Sequence, residues 1–465
     1  MIHHKTVLAD LLTPVSAFLR VASASERAFL LESVEGGERI ARYSFIGVDP
    51  ARTFDGSFGD FRQIFPQVQA AHPGLPPFTG GAVGAFSYEM IRELERIPDR
   101  LPGTENLPSV LMDFYPTVLA FDHLRHQIVV MSHESMEKVE EIEARLDRPA
   151  PQEYMHGHPD DEETEDRGGD GEAEVEDRVW NAGGMAVPVG RVKACSTSDE
   201  FCAAVERAQE YIRAGDIFQV VLSQVFEMQY RGDPFGIYRA LRYINPSPYM
   251  FFLKRGGQYI AGASPEMLVR VQGRDLEYRP IAGTRRRGRD AESDLRLERE
   301  LIEDEKEKAE HLMLVDLGRN DLGRVSEYGG VRVDRMMFVE RYSHVMHLVS
   351  DLKGRLRAGL DRFDALAACF PAGTVSGAPK IRAMEIIEEL EPFHRGIYAG
   401  AIGYLDYSGN LDTCIAIRTI KLEDGTARIQ AGAGIVADSV PEREDLECHN
   451  KARALVHAVQ LAEGL

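Results

Sequence analysis

The chain has 465 residues, with 54 Lys and Arg against 75 Asp and Glu, a net charge of −21. That length supports one large or two to three ordinary domains with real hydrophobic interiors, and so acidic a balance repels nucleic acid and anionic membrane alike, leaving small molecules and proteins as expected partners. The opening MIHHKTVLADLLTPVSAFLR lacks the apolar core of a signal peptide, no later stretch is long enough to cross a bilayer, and the five cysteines (Cys195, Cys202, Cys369, Cys414, Cys448) form no C-x-x-C pair, so a cytoplasmic chain with reduced, mostly buried thiols and no zinc site is expected.

Residues 1–150 read as short strands, such as RYSFIGV (42–48) and PTVLAFDH (116–123), interrupted by Gly and Pro, with a few helices. Residues 159–177 carry eleven acids among nineteen residues and almost nothing apolar. Such a stretch cannot repay the entropy of ordering, so 151–190 is expected to be a mobile acidic insertion between an N-terminal part, 1–150, and a C-terminal part, 191–465. In the C-terminal part Leu297, Leu301, Leu312 and Leu314 recur near helical spacing, with EDEKEKAEH supplying charge between them. DIFQVVLSQVFEM (216–228), QYIAGAS (258–264), GIYAGAIGYLDY (396–407), DTCIAIRTIKL (412–422) and ARIQAGAGIVA (427–437) read as strands. They lack a regular βαβ rhythm, which predicts an α+β fold with a mixed or antiparallel sheet packed against helices.

Three patterns carry chemistry. FPAGTVSGAPKIRAMEIIEEL (370–390) places small residues and the hydroxyls of Thr374 and Ser376 before a helix with Pro379 in its first turn. Such a turn can offer backbone N–H groups to an anion, or it can be a helix start in which Gly373 and Gly377 merely relieve crowding. The pairs Glu307/Glu310 and Glu444/Glu447 are spaced i, i+3, so each pair shares a helical face; two such faces brought together would suit Mg²⁺, although an acidic helical face is more often solvated surface. His344, His347, Arg418 and Lys451 are further candidates, each with an equally ordinary structural explanation.

Taken together, GASPE (262–266), PIAGT (280–284), DEKEKAEHLMLVDLGRND (304–321), HVMHLVSDLKG (344–354), FPAGTVSGAPK (370–380) and GAGIVADSVPERED (432–445) resemble, in order and over nearly the whole chain, the chorismate-utilising enzymes. The resemblance implies a four-layer α/β/β/α sandwich with two large, mainly antiparallel sheets and an active site at one edge. It implies Mg²⁺ held by Glu310 and Glu447, with Glu307 and Glu444 auxiliary. It places Glu266 as the general acid on the departing ring hydroxyl, with Thr284 beside it among the catalytic residues and His347 assisting proton transfer near the ring carboxylate. Thr374, Gly377, Tyr404, Arg418, Gly432, Ala433, Gly434 and Lys451 match positions that bind the substrate, Arg418 bidentately to a carboxylate.

Within the family two positions separate the chemistries. Gln219 stands where the water-using relatives carry a lysine, and Ala282 where many aminodeoxychorismate-forming relatives carry one, so the resemblance favours amination by ammonia, without a covalent step, followed by loss of pyruvate to give anthranilate. Aminodeoxychorismate formation is the nearest alternative, and a tryptophan sensor that has lost its chemistry a more distant one. LLESVEGGERIARYSFIG (30–47) and NPSPYMFF (245–252) resemble the two halves of a tryptophan feedback pocket, with Glu32, Ser33 and Ser44 as polar contacts and Pro248, Tyr249 and Met250 as an apolar bed. No cysteine lies in a G-x-C-x-G setting with a downstream H-x-E, so glutamine use is expected to need a separate amidotransferase subunit, by resemblance in a heterotetramer of two large and two small subunits.

Overall fold

Strand after strand in this chain is apolar on both faces, and the structure shows why: each sheet is covered twice. In strand Arg27–Glu32, Ala28 and Leu30 pack toward one core while Phe29 packs toward another. Strand Tyr249–Arg255 does the same, with Met250 and Phe252 on one side and Phe251 and Leu253 on the other. Alternation with a period of two sends the odd and even side chains into different layers, and both layers are apolar because both are buried.

The computed structural model describes residues 2–33, 42–66, 68–104, 107–149, 192–342 and 345–464. The acidic stretch at 159–177 and His344 therefore lie outside the described residues. Among the described residues two sheets, of 12 and 10 strands, form the middle of the molecule, and the strand pairings are antiparallel throughout. Phe29, Phe45, Phe78, Tyr115, Phe251 and Tyr404 fill the space between them. Helices Pro14–Ala22, Met136–Leu146, Pro234–Ile244 and Pro441–Ala462 pack on the outer face of the larger sheet. Helices Phe58–Ile64, Glu305–Val325 and Arg362–Cys369 pack against the smaller one, while Lys380–Leu390 packs against strands Gln219–Gln229 and Gly377–Ala378 at the edge of the larger. This is the α/β/β/α sandwich that the resemblance implies. The division near residue 150 does not separate two cores: in each sheet the strands from residues 3–132 form one block and those from residues 192–435 the other, joined where Arg27–Glu32 pairs with Tyr249–Arg255 and Gly81–Phe86 with Ala401–Asp406, and the three large apolar cores draw on both parts.

Two passages of chain between the sheets matter most. Strand Gln258–Ser264 belongs to the larger sheet and Met267–Gln272 to the smaller, so Pro265 and Glu266 make the crossing. The segment read as one strand, DTCIAIRTIKL, is two: Leu411–Ile415 in the smaller sheet and Thr419–Glu423 in the larger, with Arg418 between them at φ +50°. The left-handed region is uncommon for a side chain such as arginine, and here it lets the chain change sheets within three residues. The crossings are tied together: the Ile415 N–H donates to the Glu266 carbonyl at 3.0 Å, the Ala263 N–H to the Arg418 carbonyl at 3.1 Å, and the Ser264 hydroxyl to the Ile415 carbonyl at 2.7 Å. Among the described residues no helix is long and apolar enough to cross a membrane, and Cys369, Cys414 and Cys448 are buried free thiols.

Candidate active site

The paired crossings open onto a cavity of about 640 Å³ lined by Glu266, Thr284, Glu310, His347, Thr374, Arg418, Gly432, Gly434, Glu444, Glu447 and Lys451, with Gln219 and Ala282 also in its wall. Glu266 is buried, its Oε1 has no hydrogen-bond partner, and burial pushes its carboxyl up to about 8; the Thr374 hydroxyl, the Ile281 N–H and Arg418 only partly offset this. The Thr374 hydroxyl, also buried, faces Glu266 without a well-formed hydrogen bond to it. An unionised carboxyl in such a place can give up a proton at neutral pH.

His347 lies opposite Thr284 across the strand pair Ile281–Arg286 and Val345–Arg355. A bulge in the first strand, with Gly283 at φ +66°, turns the Gly283 carbonyl toward the ring. His347 Nδ1 lies 3.0 Å from that carbonyl and 3.0 Å from the Thr284 hydroxyl, so Nδ1 carries the hydrogen and Nε2 is left as an acceptor. Burial lowers the imidazole to about 4, the Gly283 bond opposing, so the ring is neutral across the physiological range. Arg418 has no ion-pair partner among the described residues, and burial weakens its hold on its proton while Glu266 and Tyr342 strengthen it. A cation aimed into a cavity without a counterion is a site for an anion.

The acidic helices approach from two sides. Helix Glu305–Val325 presents Glu310 and helix Pro441–Ala462 presents Glu444 and Glu447. Burial raises the Glu310 carboxyl, and the neighbouring Glu307 and Glu447 add to the effect; burial likewise raises Glu444, with Glu447 adding. Lys451 bridges Glu447 at 2.7 Å and the Gly432 carbonyl at 2.8 Å. Glu307 stands apart from the cavity wall, paired to Arg285 at 3.0 Å. Among the described residues no three His, Cys, Asp or Glu side chains are gathered tightly enough to hold a metal by themselves. Mg²⁺ does not require that, because it keeps several waters and takes one or two carboxylates with substrate oxygens completing its shell.

Other predicted residues fall elsewhere. Tyr404 is not in this cavity: it packs edge-on to Phe45 and tilted against Phe78 and lines a separate pocket, while Tyr398, six residues earlier, lines the cavity. Gly377 and Ala433 lie outside the wall; Gly377, at φ +143°, pairs with Val220, where an added Cβ would come within 2.2 Å of the Gln219 carbonyl, and Ala433 points into the core. Of the turn before helix Lys380–Leu390, Thr374 and Val375 reach the cavity, whereas Ser376 turns inward to the Ala372 carbonyl and the helix start does not contribute. The glycines of the wall have a measurable purpose: a Cβ on Gly434 would stand 2.6 Å from Gln219 Nε2, and one on Gly432 would stand 2.6 Å from the Tyr398 hydroxyl.

The separate pocket, about 160 Å³, is lined by Glu32, Ser33, Arg42, Tyr43, Phe45, Pro248, Tyr249, Met250, Arg270, Tyr404 and Asp412. Ser44 is not among them, because strand Tyr43–Val48 turns it to the other face, where its hydroxyl meets His123 Nε2 at 2.7 Å. The Glu32 carboxylate is held by the Tyr238 hydroxyl and by Arg242 at 3.2 Å. Tyr249 OH donates to Asp412 at 3.1 Å, and Arg270 joins Asp412, Glu277 and Tyr249.

A sandwich of two antiparallel sheets, with a proton-holding carboxyl, a neutral imidazole and an uncompensated arginine where the chain changes sheets, defines a known class: the chain belongs to the family of chorismate binding enzymes, matching it over residues 26–457. It is 48% identical to anthranilate synthase component 1 of Acetivibrio thermocellus, over 98% of this chain and 94% of that one, and 48% identical to anthranilate synthase component 1 of Thermus thermophilus, over 99% and 98%. The crystal structure of anthranilate synthase component I from Streptococcus pneumoniae superposes with a TM-score of 0.73 at 37% identity, covering 97% of this chain and 99% of the other.

Proposed function

We propose that this chain is the chorismate-using component of an anthranilate synthase, catalysing the amination of chorismate by ammonia and the elimination of pyruvate. The observation that carries the reading is the meeting of Glu266, His347 and Arg418 in one cavity, in a chain nearly half identical over almost its whole length to proteins of that name.

The chemistry follows from the side chains. Chorismate is a dianion; Arg418 offers a two-pronged contact to one carboxylate and Lys451 a second positive charge, so the ring is held with its hydroxyl toward Glu266. Glu266 donates its proton as that C–O bond breaks, so the hydroxyl leaves as water while ammonia forms the new C–N bond at the far end of the ring's conjugated diene, on the carbon beside the one that bears the carboxylate, and both double bonds shift. When bound, Mg²⁺ would polarise the ring carboxylate, with Glu310 and Glu447 as ligands and Glu444 beside them. His347 Nε2, neutral and facing the cavity, can take the ring proton as pyruvate departs and the ring becomes aromatic. Gln219 supplies no base at the nucleophile's side, which suits ammonia, already a nucleophile at mildly alkaline pH.

We assign the separate pocket to tryptophan: its aromatic and Met lining takes an indole, and Arg42, Arg270, Glu32 and Asp412 offer charge to an α-amino acid. Ammonia would reach the cavity free or from a glutamine amidotransferase partner, as the relatives' designation "component 1" suggests. Incubating the purified chain with chorismate, Mg²⁺ and an ammonium salt should produce anthranilate fluorescence; aminodeoxychorismate accumulating instead would overturn the assignment.

A further inference from the structure

Beneath the cavity floor lies a charge pair that the chemistry above does not use. Arg395 and Glu391 are 3% and 5% exposed. Arg395 Nε and Nη2 grip the two oxygens of Glu391 at 2.8 and 2.6 Å. The remaining donors do not go to water: Nη1 reaches the Val375 carbonyl and Nη2 the Val221 carbonyl, both at 2.7 Å. Glu391 in turn accepts from the Ser223 N–H at 2.8 Å and the Ser223 hydroxyl at 2.7 Å, and Gln430 Nε2 donates to that hydroxyl at 2.9 Å.

The four anchor points come from three separate elements, each of which reaches the cavity. Val221 and Ser223 are on strand Gln219–Gln229, Val375 follows Thr374 in the turn Gly373–Val375, and Gln430 is on strand Thr426–Ile435. Val221, Thr374, Val375 and Gln430 line the cavity. Above the guanidinium sits the ring of Tyr398, another cavity residue, 5.6 Å from its centroid. Burying two charges costs free energy that apolar side chains of the same size would not, so stability is a poor reason for the pair. Joining three cavity-lining segments at fixed separations is a better one.

We infer that Arg395 and Glu391 are positioning residues for the reaction proposed above, setting Thr374 against Glu266 and holding Tyr398 and Gln430 in the floor. The inference rests on that assignment of the cavity. Arg395→Lys keeps the charge but cannot span both carbonyls and the carboxylate; Ser223→Ala removes the hydroxyl that links Glu391 to Gln430 and leaves the Ser223 N–H on Glu391; R395M/E391L replaces the pair by apolar side chains.

The test measures kcat and KM for chorismate, with ammonium as co-substrate, alongside thermal unfolding of each variant and the wild type. A displacement near 1 Å at a reacting centre costs up to about a hundredfold, so R395K and R395M/E391L should lose about tenfold or more in kcat. KM should change little, because Arg418 and Lys451 are outside the network, and S223A should lose less in the same direction. R395K and S223A keep the test open should the double variant not fold. Folded variants with wild-type kcat, or losses that merely track the unfolded fraction, would overturn the inference alone; a wild type that makes no anthranilate would remove the functional assignment and the inference with it.

Discussion

At pH 7 Glu266 still carries its proton, because burial holds it near 8 against Arg418. The sign of the pH dependence follows. Activity that needs the protonated form should fall as pH rises through 8, and Glu266→Gln should lose about a hundredfold or more in kcat, the usual worth of a general acid. The unfolded chain releases this proton near the ordinary glutamate range and the folded chain does not until about 8, so the group costs stability that grows as pH rises between those values. E266Q should therefore unfold at a higher temperature than the wild type at pH 8, a result that calorimetry can read and that a purely structural glutamate would not give. His347 behaves oppositely: its lowered value means no inflection from this ring between pH 5 and 8. Arg418→Lys keeps charge without the fork and should reduce kcat/KM about tenfold or more, by steady-state kinetics. Residue identities were legible in the motifs, but two orientations were not taken from them. Strand alternation puts Tyr43 and Phe45 on one face and Ser44 on the other, a parity available from the sequence. Tyr404 lies within strand Ala401–Asp406 and Tyr398 in the turn before it, and which of them faces the cavity depends on where that strand begins.

At the level of elements, the site is made by chain crossings, and these were the least legible features. DTCIAIRTIKL is apolar and β-prone throughout, and nothing in its composition marks the change of sheet at Arg418; the left-handed backbone there is imposed by tertiary bonds to Ala263 and, through Ile415, to Glu266. The leucines spaced between Asp294 and Asp316 likewise belong to two helices, Ala291–Glu303 and Glu305–Val325, with Asp304 ending one and capping the other. Close contacts at the wall give a graded prediction. Gly434→Ala meets the flexible end of Gln219, so the protein should fold with chorismate KM raised; Gly432→Ala meets the Leu222 carbonyl at 2.8 Å as well as Tyr398, so stability should fall too. Thermal unfolding and kinetics on the pair separate the two.

Across the whole molecule, the pocket and the cavity share two strands. Met267–Gln272 starts directly after Glu266 and carries Arg270 into the pocket, while Leu411–Ile415 carries Asp412 and runs on to Arg418; Arg270 and Asp412 pair in register. A ligand between them would act on Glu266 and Arg418 together, so with the roles proposed above tryptophan should lower turnover and R270M should blunt that response, as inhibition titrations would show. Composition alone suggested two parts because the acidic stretch separates them in sequence; in the molecule the strands of residues 3–132 and 192–435 join edge to edge in both sheets and share their cores. Deleting 159–177 should leave turnover unchanged. The most direct test of the account is anthranilate fluorescence from the purified chain with chorismate, Mg²⁺ and ammonium, with and without tryptophan. Anthranilate should form and be suppressed by tryptophan; no anthranilate, or an aminated product that keeps its pyruvyl group, would contradict the proposed function.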